Sequence, residues 1–148
     1  MPSFKFRLQT LFRLRERTRD ERREQLADAL RVDDALRLQL EELGGQRALA
    51  RRLQTLGAGP VDVDRLLEAQ RYEASVQVEI LHVEDQRRRV TAEIETRRAA
   101  LVEADRELKV LEKLRATRLS EHLRMEAAWD VKRLDEAASR APGGEVER

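Results

Sequence analysis

Residues 76–129 read VQVEILHVEDQRRRVTAEIETRRAALVEADRELKVLEKLRATRLSEHLRMEAAW, and their spacing decides the fold. Apolar residues recur there at alternating steps of four and three: Val76, Ile80, Val83, Val90, Ile94, Leu101, Ala104, Leu108, Leu111, Met125 and Trp129. A sustained repeat of about 3.5 residues indicates a helix that packs along another helix. The same series also contains basic positions: Arg87, Arg97, Arg115, Arg118 and His122. The packed face is therefore not expected to be uniformly apolar.

The composition agrees with long helices. Charged residues make up 40% of the 148 residues and aromatic residues 3%, which is typical of coiled coils and poor for a globular core. The 30 basic and 29 acidic residues nearly cancel, so bulk attraction to nucleic acid is not implied. The chain has no cysteine, which excludes disulfides and thiolate metal sites. No uncharged apolar stretch approaches the roughly 18–20 residues of a membrane span, and the first residues do not form a secretory signal, so we expect a cytoplasmic protein.

Glycine and proline mark the ends of the helices. The segment Gly57-Ala58-Gly59-Pro60 predicts a turn at 57–61 between a first helix at 4–56 and a second at 62–141. Asp62 is expected to cap the second helix, and Gly44-Gly45 to form a weak point or short break in the first. Pro142-Gly143-Gly144 predicts the end of the second helix and a flexible tail at 142–148. A short turn makes the helices antiparallel, so the predicted fold is an all-α coiled-coil hairpin in one domain, 1–141.

The two predicted helices differ in length. A turn centred on residue 59 places Leu36 near Ile80 or Leu81, and beyond about Lys113 the second helix has no partner within the chain. This overhang still carries apolar side chains: Leu114, Leu119, Leu123, Met125, Trp129, Val131 and Leu134. Because an isolated helix gains little from such residues, we expect another surface to cover them. On the helix surfaces, acidic residues stand four positions before basic ones, as in Asp33 with Arg37.

The densest charge run is RLRERTRDERR at residues 13–23, ahead of several leucines. This order suggests a basic zipper, which would bind the major groove of DNA. Three acidic residues, Glu16, Asp20 and Glu21, would then face phosphates, and the heptad from Leu26 meets Asp33 and Arg47. The run is better explained as a solvated helix face or one that binds an acidic partner, and no nucleic acid is expected.

An enzyme requires catalytic groups that converge in a pocket. The chain has two histidines, no glycine-rich phosphate loop and no His-Glu-x-x-His signature. His82 is expected on the helix surface and His122 at a polar position of the packed face. We therefore predict no catalytic residue, no metal site and no cofactor.

Aromatic residues give the strongest indication of partners. Trp129 lies on the predicted overhang, where an anchor in a partner's groove is favoured over burial by self-association. Tyr72, near the turn, has a weaker case, because it can also cover the neck of the hairpin against Leu43 or Ala48.

Both ends of the chain resemble the FliJ family of the bacterial flagellar type III export apparatus. The start matches the family's phenylalanine-leucine signature through Phe4, Phe6, Leu8, Leu11, Phe12, Leu14 and Arg15. Near the other end the matches are Lys109, Leu111, Glu112, Lys113 and Leu114, followed by Leu134, Asp135 and Glu136. The chain departs from the family at two positions: Leu108 stands where a basic residue is common, and His122 where an aromatic residue is common.

The resemblance implies a non-enzymatic, antiparallel two-helix coiled coil, similar to the central stalk subunit of rotary ATPases. One end would enter the pore of a hexameric export ATPase, and other parts would contact the membrane export gate and export chaperones. Such a protein lies at the cytoplasmic face of the inner membrane without direct insertion into it. It would regulate the ATPase and assist flagellar protein transport and thus motility.

The contact residues follow from the resemblance and the predicted helices. The expected contacts with the ATPase ring are Phe4, Phe6, Arg13, Arg15, Arg115, Arg118, Leu119, Leu123, Met125 and Trp129. The expected contacts with the gate are Leu40, Leu49, Leu53, Tyr72 and Val76. Two alternatives stay open: a purely structural coiled coil that self-associates, and the equivalent stalk of a virulence-type secretion system.

Overall fold

The computed structural model describes residues 2–55, 59–60, 62–141 and 143. Two helices, α1 (Gln9–Thr55) and α2 (Val63–Arg140), make up almost all of this part, which contains no strand. The predicted all-α pair of helices with the longer one second is thereby confirmed. Backbone contacts divide the chain into unit 1, which combines the residues up to Arg19 with those from Ala104 onward, and unit 2, Asp20–Glu103. In each unit the helices run antiparallel.

The predicted cap of α2 is present. The Asp62 carboxylate accepts hydrogen bonds from the backbone N–H groups of Asp64 and Arg65, at 3.1 and 3.4 Å. These bonds satisfy N–H groups that have no partner inside the first turn of a helix. Of the predicted turn at 57–61 only Gly59 and Pro60 lie within the described residues, and of the tail only Gly143.

α1 begins at Gln9, five residues later than the predicted Phe4. Residues 2–6 are not helical, and the first bond of the turn runs from the N–H of Gln9 to the carbonyl of Phe6, at 3.1 Å. Phe4 and Phe6 are two positions apart, a spacing that places both rings on one side of an extended chain. Both rings are half-buried, and Phe6 packs against the core of unit 1. Burial of the rings therefore opposes a further turn of helix.

α1 passes through Gly44 and Gly45 without interruption, so the predicted break is wrong. Neither glycine has a positive φ angle, and a Cβ atom built on either would meet nothing within 4 Å. The neighbouring Leu43 and Ala50 are buried, and this packing holds the helix despite the low propensity of glycine.

The core of unit 2 alternates apolar and polar contacts. Leu43, Val76, Ile80 and Val83 form a buried cluster, and Leu36 and Leu40 pack against it. The next contact along the helices is an ion pair, in which Arg87 Nε donates to Asp33 Oδ1 at 3.0 Å. Asp33 therefore pairs across the helices and not with Arg37 of its own helix.

A second set of polar side chains joins the helices nearer the end of α1. Arg47 donates to Gln77 at 2.8 Å, and Arg51 donates to Glu73 at 2.6 Å. Gln54 donates to the other oxygen of Glu73 at 2.7 Å. The hydrogen bonds from Arg51 and then Gln54 lower the pKa of Glu73 below its ordinary value, because they stabilise the charged carboxylate.

Candidate functional site

Unit 1 has a small apolar core at the start of α1. Phe12, Leu108 and Leu111 are buried together. The Arg115 guanidinium lies 5.4 Å from the centre of the Phe12 ring, a cation–π distance. Arg15 forms an ion pair with Glu107 across the helices at 2.6 Å. Aromatic packing and the pair between Arg15 and Glu107 therefore join the two helices here.

Beyond this core the partner of α2 is not a helix. We name residues 2–8 the strap, and we name the α2 positions that continue its packed face the terminal seam: Arg115, Arg118, His122, Met125 and Trp129. The strap reaches along several turns of α2, because Phe6 packs against the cluster that contains Leu111 and Pro2 lines a groove with Trp129 and Arg133. The Phe4 ring lies 5.6 Å from the His122 ring at an interplanar angle of 48°. This contact corrects the expectation that α2 lacks an intramolecular partner beyond Lys113.

Two open grooves lie between the strap and α2. The first, of about 690 Å³, has apolar walls from Phe4, Phe6, Leu114 and Met125. Its charged residues are mainly basic, namely Lys5, Arg7 and Arg118, with Glu121 as the acidic exception, and His122 also lines it. The second, of about 610 Å³, is lined by Pro2, Glu126, Trp129, Asp130 and Arg133. Apolar surface in both grooves is therefore open to solvent and bordered by charge.

The last turns of α2 expose large apolar side chains. Trp129 and Met125, at the end of the terminal seam, are 58% and 59% exposed. Helical spacing places further exposed residues on other faces of α2: Leu119, Leu123, Val131 and Leu134. Met125 and Trp129, which stand four residues apart and so share one face of α2, are therefore the pair best placed to form a contact surface.

The residues predicted to contact an ATPase ring all lie in unit 1, but they divide into two groups. Four have partners within the chain: Phe4, Phe6, Arg15 and Arg115. Arg118 pairs with Glu121 of its own helix at 3.4 Å. The remaining side chains are exposed: Arg13, Leu119, Leu123, Met125 and Trp129. Arg115 and Arg118 are exposed as well, so a partner would need a rearrangement only to reach the half-buried Phe4, Phe6 and Arg15.

The residues predicted to contact an export gate lie in unit 2. Val76 is only 3% exposed and Leu40 packs against the same core, so neither side chain is available at the surface. Leu49, Leu53 and Tyr72 are exposed. The Tyr72 hydroxyl donates a hydrogen bond to Gln46 Oε1 at 3.4 Å, which orients the ring on this surface.

The strap is not predicted by the helical pattern of the sequence. Pro2, Lys5 and Arg7 line the grooves, and none of them was predicted as a site residue. The alternation of Phe4 and Phe6, two residues apart just after a proline, was the available signal for an extended segment.

The ionisable side chains at the site form pairs, and they do not converge as the ligands of a metal ion would. His122 Nε2 lies 3.4 Å from Glu126 Oε1, one turn further along α2. In the described ranges no three His, Asp or Glu side chains are grouped so that they could hold a metal ion. Over the same ranges, neither helix has a stretch that is both apolar and long enough to cross a membrane.

Comparison with known proteins gives one match. The family model described as "Flagellar FliJ protein" matches residues 4–147, which cover all of unit 2, nearly all of unit 1 and residues 4–8 of the strap. No curated protein matches the chain, and no solved structure matches it either. The chain therefore belongs to the FliJ family, and it is a component of the flagellar export apparatus.

Proposed function

We propose that the chain is a non-enzymatic coiled-coil stalk that couples a hexameric export ATPase to the membrane export gate. In this role it regulates the ATPase and assists export chaperones at the cytoplasmic face of the inner membrane. The family match supports the flagellar system over a virulence-type one. The nucleotide chemistry belongs to the ring, and the stalk contributes contacts alone.

The terminal seam is the observation that carries this proposal. It continues the packed face of α2 beyond the start of α1 at Gln9, and it ends in the exposed Met125 and Trp129. Tryptophan is enriched among the residues that dominate binding energy in interfaces. Arginine is enriched there too, and Arg118 lies in the same seam.

The mechanism follows from symmetry. Two helices inside a six-fold ring cannot make the same contacts with all six subunits at once. Such a stalk stabilises different conformations in different subunits, which promotes ring assembly or ordered hydrolysis. The exposed Leu49, Leu53 and Tyr72 of unit 2 are the proposed contacts with the gate.

Replacing Trp129 by alanine tests the ring contact. An aromatic hot spot typically contributes about 2 kcal/mol or more, so ring affinity should fall by roughly 30-fold or more, together with ATPase stimulation. Val131→Ala is the matched control, because Val131 is 57% exposed, nearly the same as Trp129, but lies on another face of α2. Ring binding and ATPase rate should barely change in the control.

Circular dichroism and sedimentation distinguish loss of the ring contact from loss of helix and from a change in oligomeric state. Trp129 has no partner in the core of either unit, so the helix content of the alanine variant should equal that of the unchanged chain. One observation favours the self-associating alternative, namely the exposed Leu119, Leu123 and Leu134. Unchanged ATPase stimulation together with a lower oligomer mass for Trp129→Ala would replace the proposal with that alternative.

A further inference from the structure

We propose that the strap, residues 2–8, is displaceable and that an acidic partner helix takes its place on the terminal seam of α2. The inference rests on the proposed function in treating unit 1 as a contact surface. It adds the chemistry of the partner and a rearrangement within the chain that accompanies binding.

The residues of the terminal seam are spaced so that a second helix can pack along them. Its five positions continue the steps of four and three found along the rest of α2, where α1 packs on the same face. Beyond Arg115, which faces Phe12 of α1, the strap replaces α1 over the terminal seam, and it leaves Met125 and Trp129 more than half exposed. A second helix can follow a 3.5-residue series along its whole length, and an extended segment cannot.

The charges specify what such a helix must carry. Two arginines of the helix interface meet a carboxylate of the opposite helix: Arg87 meets Asp33, and Arg15 meets Glu107. A third, Arg97, pairs with Glu93 of its own helix. The strap, PSFKFRL, contains no carboxylate, and it brings Lys5 and Arg7 beside Arg118 in the 690 Å³ groove. The carboxylate among the residues that line this groove, Glu121, belongs to α2 and pairs with Arg118, so the strap itself adds only positive charge to the groove. A helix with glutamates beside Arg118 and leucines opposite Met125 and Trp129 supplies the carboxylates that the strap lacks.

The contacts that hold the strap are few. Phe4 is placed against His122, and Phe6 packs on the edge of the core formed by Phe12, Leu108 and Leu111. An aromatic pair contributes only modestly beyond its buried area. A partner helix that fills the whole seam can exceed this contribution, so exchange of the strap for the partner is favourable.

A designed peptide tests the exchange. The probe is a synthetic helix about three heptads long, with glutamates and leucines at the positions named above, and a control peptide carries lysines in place of the glutamates. Trp129 is the only tryptophan of the chain, so its fluorescence reports occupancy of the seam directly. The glutamate peptide should bind at least about tenfold more tightly than the control, and the difference should shrink in high salt.

Two variants test whether the strap must leave. Phe4→Ala should tighten binding of the glutamate peptide by roughly two- to tenfold, because the strap then competes less strongly. Leu14→Ala is the control, since Leu14 is an exposed leucine of the same unit, and it should bind as the unchanged chain does. Because the chain has no cysteine, Phe4→Cys with His122→Cys can be joined by a short bismaleimide linker. The linked chain should no longer bind the glutamate peptide, and the same chain before linkage should bind it.

The outcomes are distinguishable. Equal binding by the linked and unlinked chains would overturn displacement, and equal binding of both peptides would overturn the acidic partner. Sedimentation that shows a Trp129-dependent dimer of the chain, unaffected by the peptide, would assign the seam to a second copy and likewise overturn the proposal. The peptide assay contains no ATPase, so its failure leaves the ring contact intact, and a failure of ring binding leaves the exchange intact.

Discussion

At the level of single residues, charge at the helix interface is tolerated where the opposite helix supplies a partner. Arg87 and Asp33 are 39% and 21% exposed in their side chains, so each is partly withdrawn from water. A partly buried pair adds little net stability over apolar packing, but loss of one partner leaves a charge without compensation. Such pairs therefore fix the register of the helices more than they strengthen the fold.

Asp33→Ala should lower the free energy of unfolding by about 1–2 kcal/mol, because Arg87 is left at the interface without its carboxylate. Asp34→Ala is the matched control. Asp34 is the next residue, its side chain is 71% exposed, and it lies 3.9 Å from Arg37. The control should change stability by about 0.5 kcal/mol or less in urea unfolding. Equal losses of stability for the two variants would show that the pair between Arg87 and Asp33 contributes no more than an exposed surface pair does.

The lowered pKa of Glu73 predicts that the stability of the folded chain depends on pH. Its pKa is lower in the folded chain than in the unfolded one, so its contribution is present above the ordinary glutamate value of about 4.3. That contribution disappears as the pH falls through the lowered pKa, because the unfolded state then binds the proton first. Glu73→Gln should therefore have a lower Tm than the unchanged chain at pH 7, and the gap should close in acid. A gap that widened in acid would contradict the assignment, and Glu79→Gln controls for loss of a carboxylate on the same helix.

At the level of elements, α1 contains a pair of glycines that neither its backbone nor its packing requires. Gly44 and Gly45 have ordinary helical φ angles and open space around their Cβ positions. Glycine in a helix is less favourable than alanine by roughly 0.5–1 kcal/mol, so the pair weakens α1 where Leu43 packs into the core.

Gly44→Ala and Gly45→Ala should each raise the free energy of unfolding by about 0.5–1 kcal/mol. Ala48→Gly, at an exposed position of the same helix, is the reverse control and should lower it by a similar amount. Thermal unfolding followed by circular dichroism measures all three. A loss of stability in either alanine variant would mean that the glycine is needed for a contact that the open space around it does not reveal.

The helices were predictable because one long periodic signal specifies them. α2 runs from Val63 to Arg140 against a predicted 62–141, and the predicted positions Val76, Ile80 and Leu108 are buried. The errors in α1 have separate physical causes. Packing on both sides carries the helix through Gly44 and Gly45, and ring burial keeps Phe4 and Phe6 out of the helix. The strap depends on the tertiary contacts that these rings make. A search for helical periodicity does not detect such contacts.

At the level of the whole molecule, the proposed stalk depends on two surfaces carried by one chain. The family match extends from residue 4 to residue 147 and so includes Trp129 in unit 1 as well as Leu49 and Leu53 in unit 2. Coupling between two partners requires that both contacts be made by the same chain, because a force or a conformational preference passes only through connected structure. Two chains that each lack one contact cannot replace one complete chain.

Co-expression of two defective variants tests this requirement in cells that lack the native chain. Trp129→Ala and the double variant Leu49→Ser with Leu53→Ser should each impair swimming, because each removes exposed apolar side chains from one surface and leaves both cores intact. Expressed together, they should not restore swimming, since neither chain joins ring and gate. Each variant expressed with the unchanged chain is the control, and swimming should then return, which excludes a dominant effect. Restored swimming in cells that carry only the two variants would mean that the contacts act through separate chains. The coupling role would then be wrong even if both contacts exist.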